Sequence, residues 1–362
     1  VLIISILFSF SYCSCKKTDT SANEWQKQAD RAKSTLDSLY KYYSIPESEL
    51  LRETYPYDEN LNITYLASGN NEKQNNHAYL WPFSGTFSAV NSLFKATKNN
   101  YYKEILNNKV FVGLEEYFDQ QRTPFAYASY TSKSDPLPDR FYDDNIWIGL
   151  DFTDLYMMTN EDKYLEKAKL VWEFIKSGTD NKLGGGIYWC EQKKEAKHSC
   201  SNAPGSVYAL KLFIATKDST YFEQGEFLYE WAHKHLRDST DNLYYDNINL
   251  EGKADPAKYS YNSGQMIQAA ALLYKLTNKQ EYLADAEKTA VSCYNLYFSD
   301  FETINGDKYH LLKKGDIWFT AIMFRGFIEL YKVNRDNTYV ETYRKNLDYA
   351  WEHMRADNGL FN

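Results

Sequence analysis

The feature that most constrains this chain is a short module that returns about every sixty residues. An apolar helix end runs into Thr or Asn, a few polar residues follow, and a tyrosine opens the next helix. The copies read KATKNNYY, MMTNEDKYL, IATKDSTYF, KLTNKQEYL and KVNRDNTYV. Their marker tyrosines, Tyr101, Tyr164, Tyr221, Tyr282 and Tyr339, are 63, 57, 61 and 57 residues apart. A looser copy starts near Trp25. A fixed period of this size means one supersecondary unit used repeatedly, each burying its apolar face on its neighbours.

The segments between markers are of two kinds. After a marker comes a helix with one apolar stripe, as in Phe222, Gly225, Tyr229, Ala232 and Leu236, or Leu283, Ala286, Ala290, Cys293 and Tyr297, or Val340, Tyr343, Leu347, Ala350 and Met354. One stripe with charges elsewhere predicts a helix with one wet face. The alternate segments, 79–97, 143–159, 201–216, 261–277 and 316–333, are apolar nearly all round and predict buried helices. Outer and inner helices in strict alternation, about sixty residues per pair, predict an all-α fold, an (α/α)6 toroid or barrel. An open α-solenoid is the rival; the long, irregular, aromatic connections favour the toroid. The count is six outer helices to five inner ones. The last inner helix is expected beyond Asn362, unless the barrel is incomplete.

The chain opens VLIISILFSFSYCSC and continues KKTDTSANE. An apolar run followed by small residues and cysteine reads as a secretory signal, too short for a transmembrane span. Tyr12-Cys13-Ser14-Cys15 loosely matches a lipobox, so Cys15 is the expected lipidation site. The absence of a starting Met points to a longer precursor. Residues 1–24 are thus read as signal and tether and 25–362 as the barrel domain. The expected location is outside the cytoplasm, periplasmic or at the cell surface, with a lipid anchor in a bacterial membrane.

A net charge of -8 argues against nucleic acid as a partner. Aromatics make up 17%, with 33 Tyr and 8 Trp; this suits stacking on sugar rings and equally a Tyr-rich helical core. No His/Cys spacing suggests zinc, and Gly184-Gly185-Gly186 lacks the Lys and Ser/Thr of a phosphate loop. No cofactor and no metal are expected. Cys190 and Cys200 are a candidate disulfide in an oxidising compartment; Cys293 lies on an apolar helix face.

In a toroid the loops that lead into the inner helices line one mouth, and chemistry is sought there. The second inner helix opens FYDDNIWIGLDF, which puts Asp143 and Asp144 at its first turn. A helix N-terminus stabilises anions, and capping alone needs one Asp. Like charges held close cannot both ionise easily, so one carboxyl is pushed toward its protonated form. A charged carboxylate beside a neutral one is the equipment of a retaining glycosidase.

FYDDNIWIGLDF resembles the aspartate-pair signature of glycoside hydrolase family 76. In order along the chain, YLWPFSGTFSAV at 79–90, GGGIYW at 184–189, YSYNSGQMIQAAALLY at 259–274 and FRGFIELY at 324–331 resemble further segments of that family. The resemblance implies an (α/α)6 barrel and endo-acting, retaining hydrolysis of α-1,6-mannan. It implies Asp143 as nucleophile and Asp144 as acid/base. Position in the mouth adds Trp81, Tyr142, Tyr188, Trp189, Tyr261 and Trp318 as sugar platforms, with Asn202, Asn262 and Gln265 as hydroxyl ligands. Asp316 is a further candidate, or a helix cap. The expected partner is a polysaccharide, α-mannan, bound by a monomer. The alternatives are a transglycosidase on cell-wall mannan and a glycan-binding lipoprotein without turnover. A sugar epimerase or unsaturated-uronide hydrolase of the same fold is disfavoured, the first because no histidine is expected at the inner-helix starts, the second because basic mouth residues are sparse.

Overall fold

The computed structural model describes residues 19–61, 76–131 and 137–361. Two compact units divide them. Of these, the first holds the residues up to Gly178 together with Trp189–Lys194 and Ala356–Leu360; the second holds Thr179–Tyr188, Glu195–Arg355 and Phe361. Cys15, the expected lipidation site, lies outside the described residues.

Unit one begins with α1 (Asp19–Tyr43) and α2 (Leu80–Thr97). Next come α3 (Asn100–Ile105), a π-helical turn (Leu106–Val110) and α4 (Phe111–Glu115). β1 (Phe118–Asp119) pairs antiparallel with β2 (Ala126–Tyr127) before α5 (Tyr142–Thr159) and α6 (Asp162–Ser177). Unit two carries β3 (Ala196–His198), α7 (Ser199–Thr216) and α8 (Ser219–Leu236), then β4 (Asn247–Asn249) and β5 (Ala254–Asp255). α9 (Ser260–Thr277) and α10 (Gln280–Tyr297) lead to the β6 (Phe298–Glu302) and β7 (Lys308–Leu312) hairpin, then to α11 (Ile317–Asn334) and α12 (Thr338–His353). β3, β4 and β5 form an antiparallel sheet in that order.

The five inner helices α2, α5, α7, α9 and α11 fall within two residues of the segments read from the sequence, and each is 18 residues long. Burial separates the two kinds of helix as the stripes predict. α7 and α9 each bury 13 residues, whereas α10 buries 5 and α12 buries 3. On α10 the buried set is Tyr282, Ala286, Thr289, Ala290 and Cys293, and on α12 it is Val340, Tyr343 and Leu347. Met354 departs from the expected stripe and stays exposed. α9 and α11 pack backbone to backbone: a Cβ at Gly326 would run into the Gly264 carbonyl, and one at Gly264 would run into Met323.

The repeated module has a physical meaning. Every inner helix ends on a residue in the left-handed region, Lys98, Asn160, Lys217, Asn278 or Arg335, with φ between 56° and 64°. Its N–H returns to the carbonyl of an aromatic residue four back: Phe94, Tyr156, Phe213, Tyr274 or Tyr331. The hydroxyls of Thr97, Thr159, Thr216 and Thr277 then accept the N–H two residues on, and the Asn334 amide oxygen does the same in the last copy. Thr or Asn recurs there because a short oxygen-bearing side chain closes this turn, and the turn aims the chain into the outer helix.

Candidate active site

The start of α5 is built by a strand-like segment laid across it. Phe141 and Cys190 form an antiparallel bridge. Tyr142 N donates to the Trp189 carbonyl at 2.9 Å, and Glu191 N donates to the Arg140 carbonyl at 3.0 Å. Arg140, fully buried, clamps this arrangement. Its guanidinium forks onto the Glu191 carboxylate, with Nε at 2.7 Å, and donates to the carbonyls of Arg122 at 3.2 Å and Pro124 at 2.9 Å. It also lies over the Phe174 ring at 4.9 Å. A buried guanidinium is tolerated where its fork is filled in this way. Asn145, fully buried at the fourth helical position, accepts the Tyr127 N–H and donates to the Tyr127 and Phe141 carbonyls, each at 2.8 Å. The two aspartates sit between the end of the strand segment and this amide clamp.

Their surroundings differ. Asp143 is half-buried, and the Trp189 indole N–H donates to its Oδ2 at 3.2 Å. Asp144 is 8% exposed. Burial, and then the neighbouring Asp143 charge, push its carboxyl well above the usual carboxylate range. The free N–H groups of the helix start favour an anion nearby. The geometry thus supplies one carboxylate that accepts an indole N–H and one buried carboxyl pushed toward its protonated form.

The other sequence candidates divide. Trp81, on the first turn of α2, and Trp189 keep part of their surface open. Tyr261 is half-exposed and stacks on Phe319 with centroids 4.3 Å apart. Asn262 and Gln265 are buried on one face of α9; their amides donate to Asp246 at 3.5 Å and to Gln268 at 2.9 Å. Among the described residues, neither amide oxygen has a hydrogen-bond partner. A hydroxyl donor would satisfy them.

Three platform expectations are corrected by burial, and others by bonding. Tyr142 is fully buried, stacked on Phe174 at 4.6 Å with its ring against Gly178, and presents no face to a sugar. Tyr188 is 1% exposed; its hydroxyl donates to Asp180 at 2.7 Å and Lys197 covers its ring. Trp318 is 4% exposed. Asn202 is a clamp rather than a hydroxyl ligand: its side chain accepts the Ile187 N–H at 2.7 Å and donates to the Ile187 and His198 carbonyls at 2.9 and 2.7 Å. Asp316 is exposed and takes the cap role, accepting the Trp318 N–H at 2.8 Å. Cys190 and Cys200 are both buried free thiols, not a disulfide.

Sequence reasoning missed two features. One is the Arg140–Glu191 clamp, whose partners are 51 residues apart. The other is His198, which is the N-cap of α7, so a histidine does stand at an inner-helix start. Its Nδ1 is 3.7 Å from Asp246 Oδ2, and burial lowers its affinity for a proton against the pull of Asp246 and Asp255. The position of His198, one residue before an apolar helix, was a usable signal; Asp246 carried none.

Comparison with known proteins identifies the family. Residues 28–356 match the family model described as Glycosyl hydrolase family 76. A family 76 glycoside hydrolase (mannosidase) from Bacteroides thetaiotaomicron VPI-5482 is 34% identical, with 92% of this chain and 90% of that one covered and a TM-score of 0.81. A family 76 glycoside hydrolase from a bovine Bacteroides thetaiotaomicron strain is 32% identical, with 92% and 71% covered and a TM-score of 0.82. The Meiotically up-regulated gene 191 protein of Schizosaccharomyces pombe is 27% identical over 194 residues, and the matched part spans 43% of that protein's length. The expected fold class, the (α/α)6 toroid, is the fold of this family. With the repeats, the aspartate pair and a family match over nearly all the described residues, the chain belongs to glycosyl hydrolase family 76.

Proposed function

We propose that this chain hydrolyses α-1,6-mannan internally, with retention of configuration. The single observation that carries the reading is the unequal pair: Asp143 hydrogen-bonded by an indole donor, and Asp144 buried, with its carboxyl pushed toward the protonated form. Asp143 attacks the anomeric carbon while the glycosidic C–O bond breaks. The bond's electron pair leaves on the departing oxygen, which takes the Asp144 proton. Asp144, now a carboxylate, removes a proton from water as the water attacks the mannosyl–Asp143 ester, and Asp143 leaves as the carboxylate. Supporting the substrate, a Salegentibacter α-1,6-mannanase of the same fold, 23% identical with a TM-score of 0.68, is known as an inactive double-aspartate variant in complex with α-1,6-mannotriose.

Digestion of linear α-1,6-mannan, with product sizing and the anomeric configuration read early by NMR, tests the reading. Shortened chains released as α-anomers are expected. Intact mannan, or β-anomers, would refute it; products longer than the substrate would make the enzyme a transglycosidase. Export with lipidation at Cys15 goes with this proposal, because a cell-wall polysaccharide lies outside the cytoplasm. Cys15→Ala should then release the protein from membranes, and unchanged membrane association would count against the anchor.

A further inference from the structure

We infer that Trp189 is a positioning residue for the nucleophile, its indole N–H fixing the Asp143 carboxylate in place for attack, rather than a sugar platform alone. The inference rests on Asp143 as nucleophile. Its ground is a double attachment. The Trp189 carbonyl accepts the N–H of Tyr142, the residue just before Asp143, while the Trp189 indole donates to the Asp143 side chain at 3.2 Å. One residue thereby holds both the backbone leading into Asp143 and its carboxylate. The ring is seated against Phe141, with centroids 4.8 Å apart. The segment that carries Trp189 is pinned by the buried Arg140 fork on Glu191 and by the Gln192 side chain, which accepts the Arg140 N–H at 2.9 Å.

An indole nitrogen is a donor only and carries no charge. It can therefore orient an anion without neutralising it as a nearby cation would, and the carboxylate stays a nucleophile. A platform needs only the ring face, and for that role the N–H could point anywhere.

Trp189→Phe separates the two roles, because it keeps a ring and removes the donor. On α-1,6-mannan, kcat should fall roughly 10–100-fold with KM within about 3-fold of wild type, as when one preorganised donor is lost. A raised KM with unchanged kcat, or no change at all, overturns the inference. Should the variant fail to fold, a second measurement decides. In the 15N-labelled protein, the Trp189 indole N–H resonance should move upfield in Asp143→Ala, since the donor loses its acceptor; an unmoved resonance overturns the inference. This readout needs no turnover. A wild type inert on mannan would therefore sink the proposed function alone, whereas an active wild type matched by Trp189→Phe would sink only the role of Trp189.

Discussion

The starts of α5 and α7 are the same construction carrying different side chains. Each is an 18-residue inner helix with an extended N-cap, Phe141 or His198, and a fully buried asparagine at its fourth position. Asn145 and Asn202 each make the same three bonds: one accepted from, and one donated to, a single residue of a passing strand (Tyr127 or Ile187), and one donated back to the N-cap carbonyl. At the second and third helical positions, just before the clamp, α5 places Asp143 and Asp144, while α7 places Cys200 and Ser201. The repeat therefore supplies a rigid socket at each helix start, and the chemistry depends on which two residues fill it.

The largest effect should come from emptying the α5 socket. Asp143→Ala is expected to lower kcat by about 10⁴-fold or more, even on an aryl α-mannoside with a good leaving group, because no covalent intermediate forms. The matching change in α7, Cys200→Ala, should leave the rate within about 3-fold, as expected for a substitution that removes no reacting group. Steady-state kinetics on both variants test the contrast, and equal losses would end it. Asp144→Ala should lose about 10²–10⁴-fold on mannan, and much less on the aryl mannoside, whose leaving group needs no proton. Azide should then restore turnover and yield a mannosyl azide of retained α configuration. Rescue in the Asp143 variant instead would swap the roles.

Next come the clamps. Asn145→Ala and Asn202→Ala each strand buried backbone groups, which should cost about 2–4 kcal/mol in denaturant unfolding. A near-neutral value for either would break the equivalence of the two sockets.

A smaller effect concerns pH. Asp144 has a raised folded-state pKa, so the folded chain holds its proton at pH values where the unfolded chain has lost it. Stability from this group is present below the unfolded pKa, roughly 3.9, and is lost as pH rises toward the folded value. Asp144→Asn should therefore raise Tm at neutral pH by roughly 1–3 °C, and the gain should vanish near pH 4. A gain that persists in acid would show that the Asp144 charge is not its cause. Smallest of all, Asp316→Ala should cost about 1 kcal/mol, as for loss of an N-cap, with mannanase activity intact. Lost activity without lost stability would return Asp316 to the site.

Much of the fold was legible because its period and stripes are local. Thr97, Thr159, Thr216 and Thr277 mark helix ends through a bond that spans two residues, so the sequence carries the turn directly. The aspartate pair was legible for the same reason, being two adjacent residues at a helix start. What was not legible depends on distant partners. Whether an aromatic at a loop is a platform or core depends on what covers it: Tyr142 is covered by Phe174 and Tyr188 by Lys197. The small strands in the connections and the Arg140–Glu191 pair also arise from tertiary contact, which no periodicity announces.

Lys197 offers a chemical handle on the Gly-rich loop. Its ammonium is wholly enclosed, donating to Asp180 Oδ1 at 2.7 Å, to the Lys182 carbonyl at 2.9 Å and to the Gly185 carbonyl. An amine-reactive acylating reagent can modify it only after those bonds open, whereas the exposed lysines react at once. The lag of Lys197 behind them in a timed labelling experiment, read peptide by peptide, is therefore a clock for local opening of residues 180–186, independent of global unfolding.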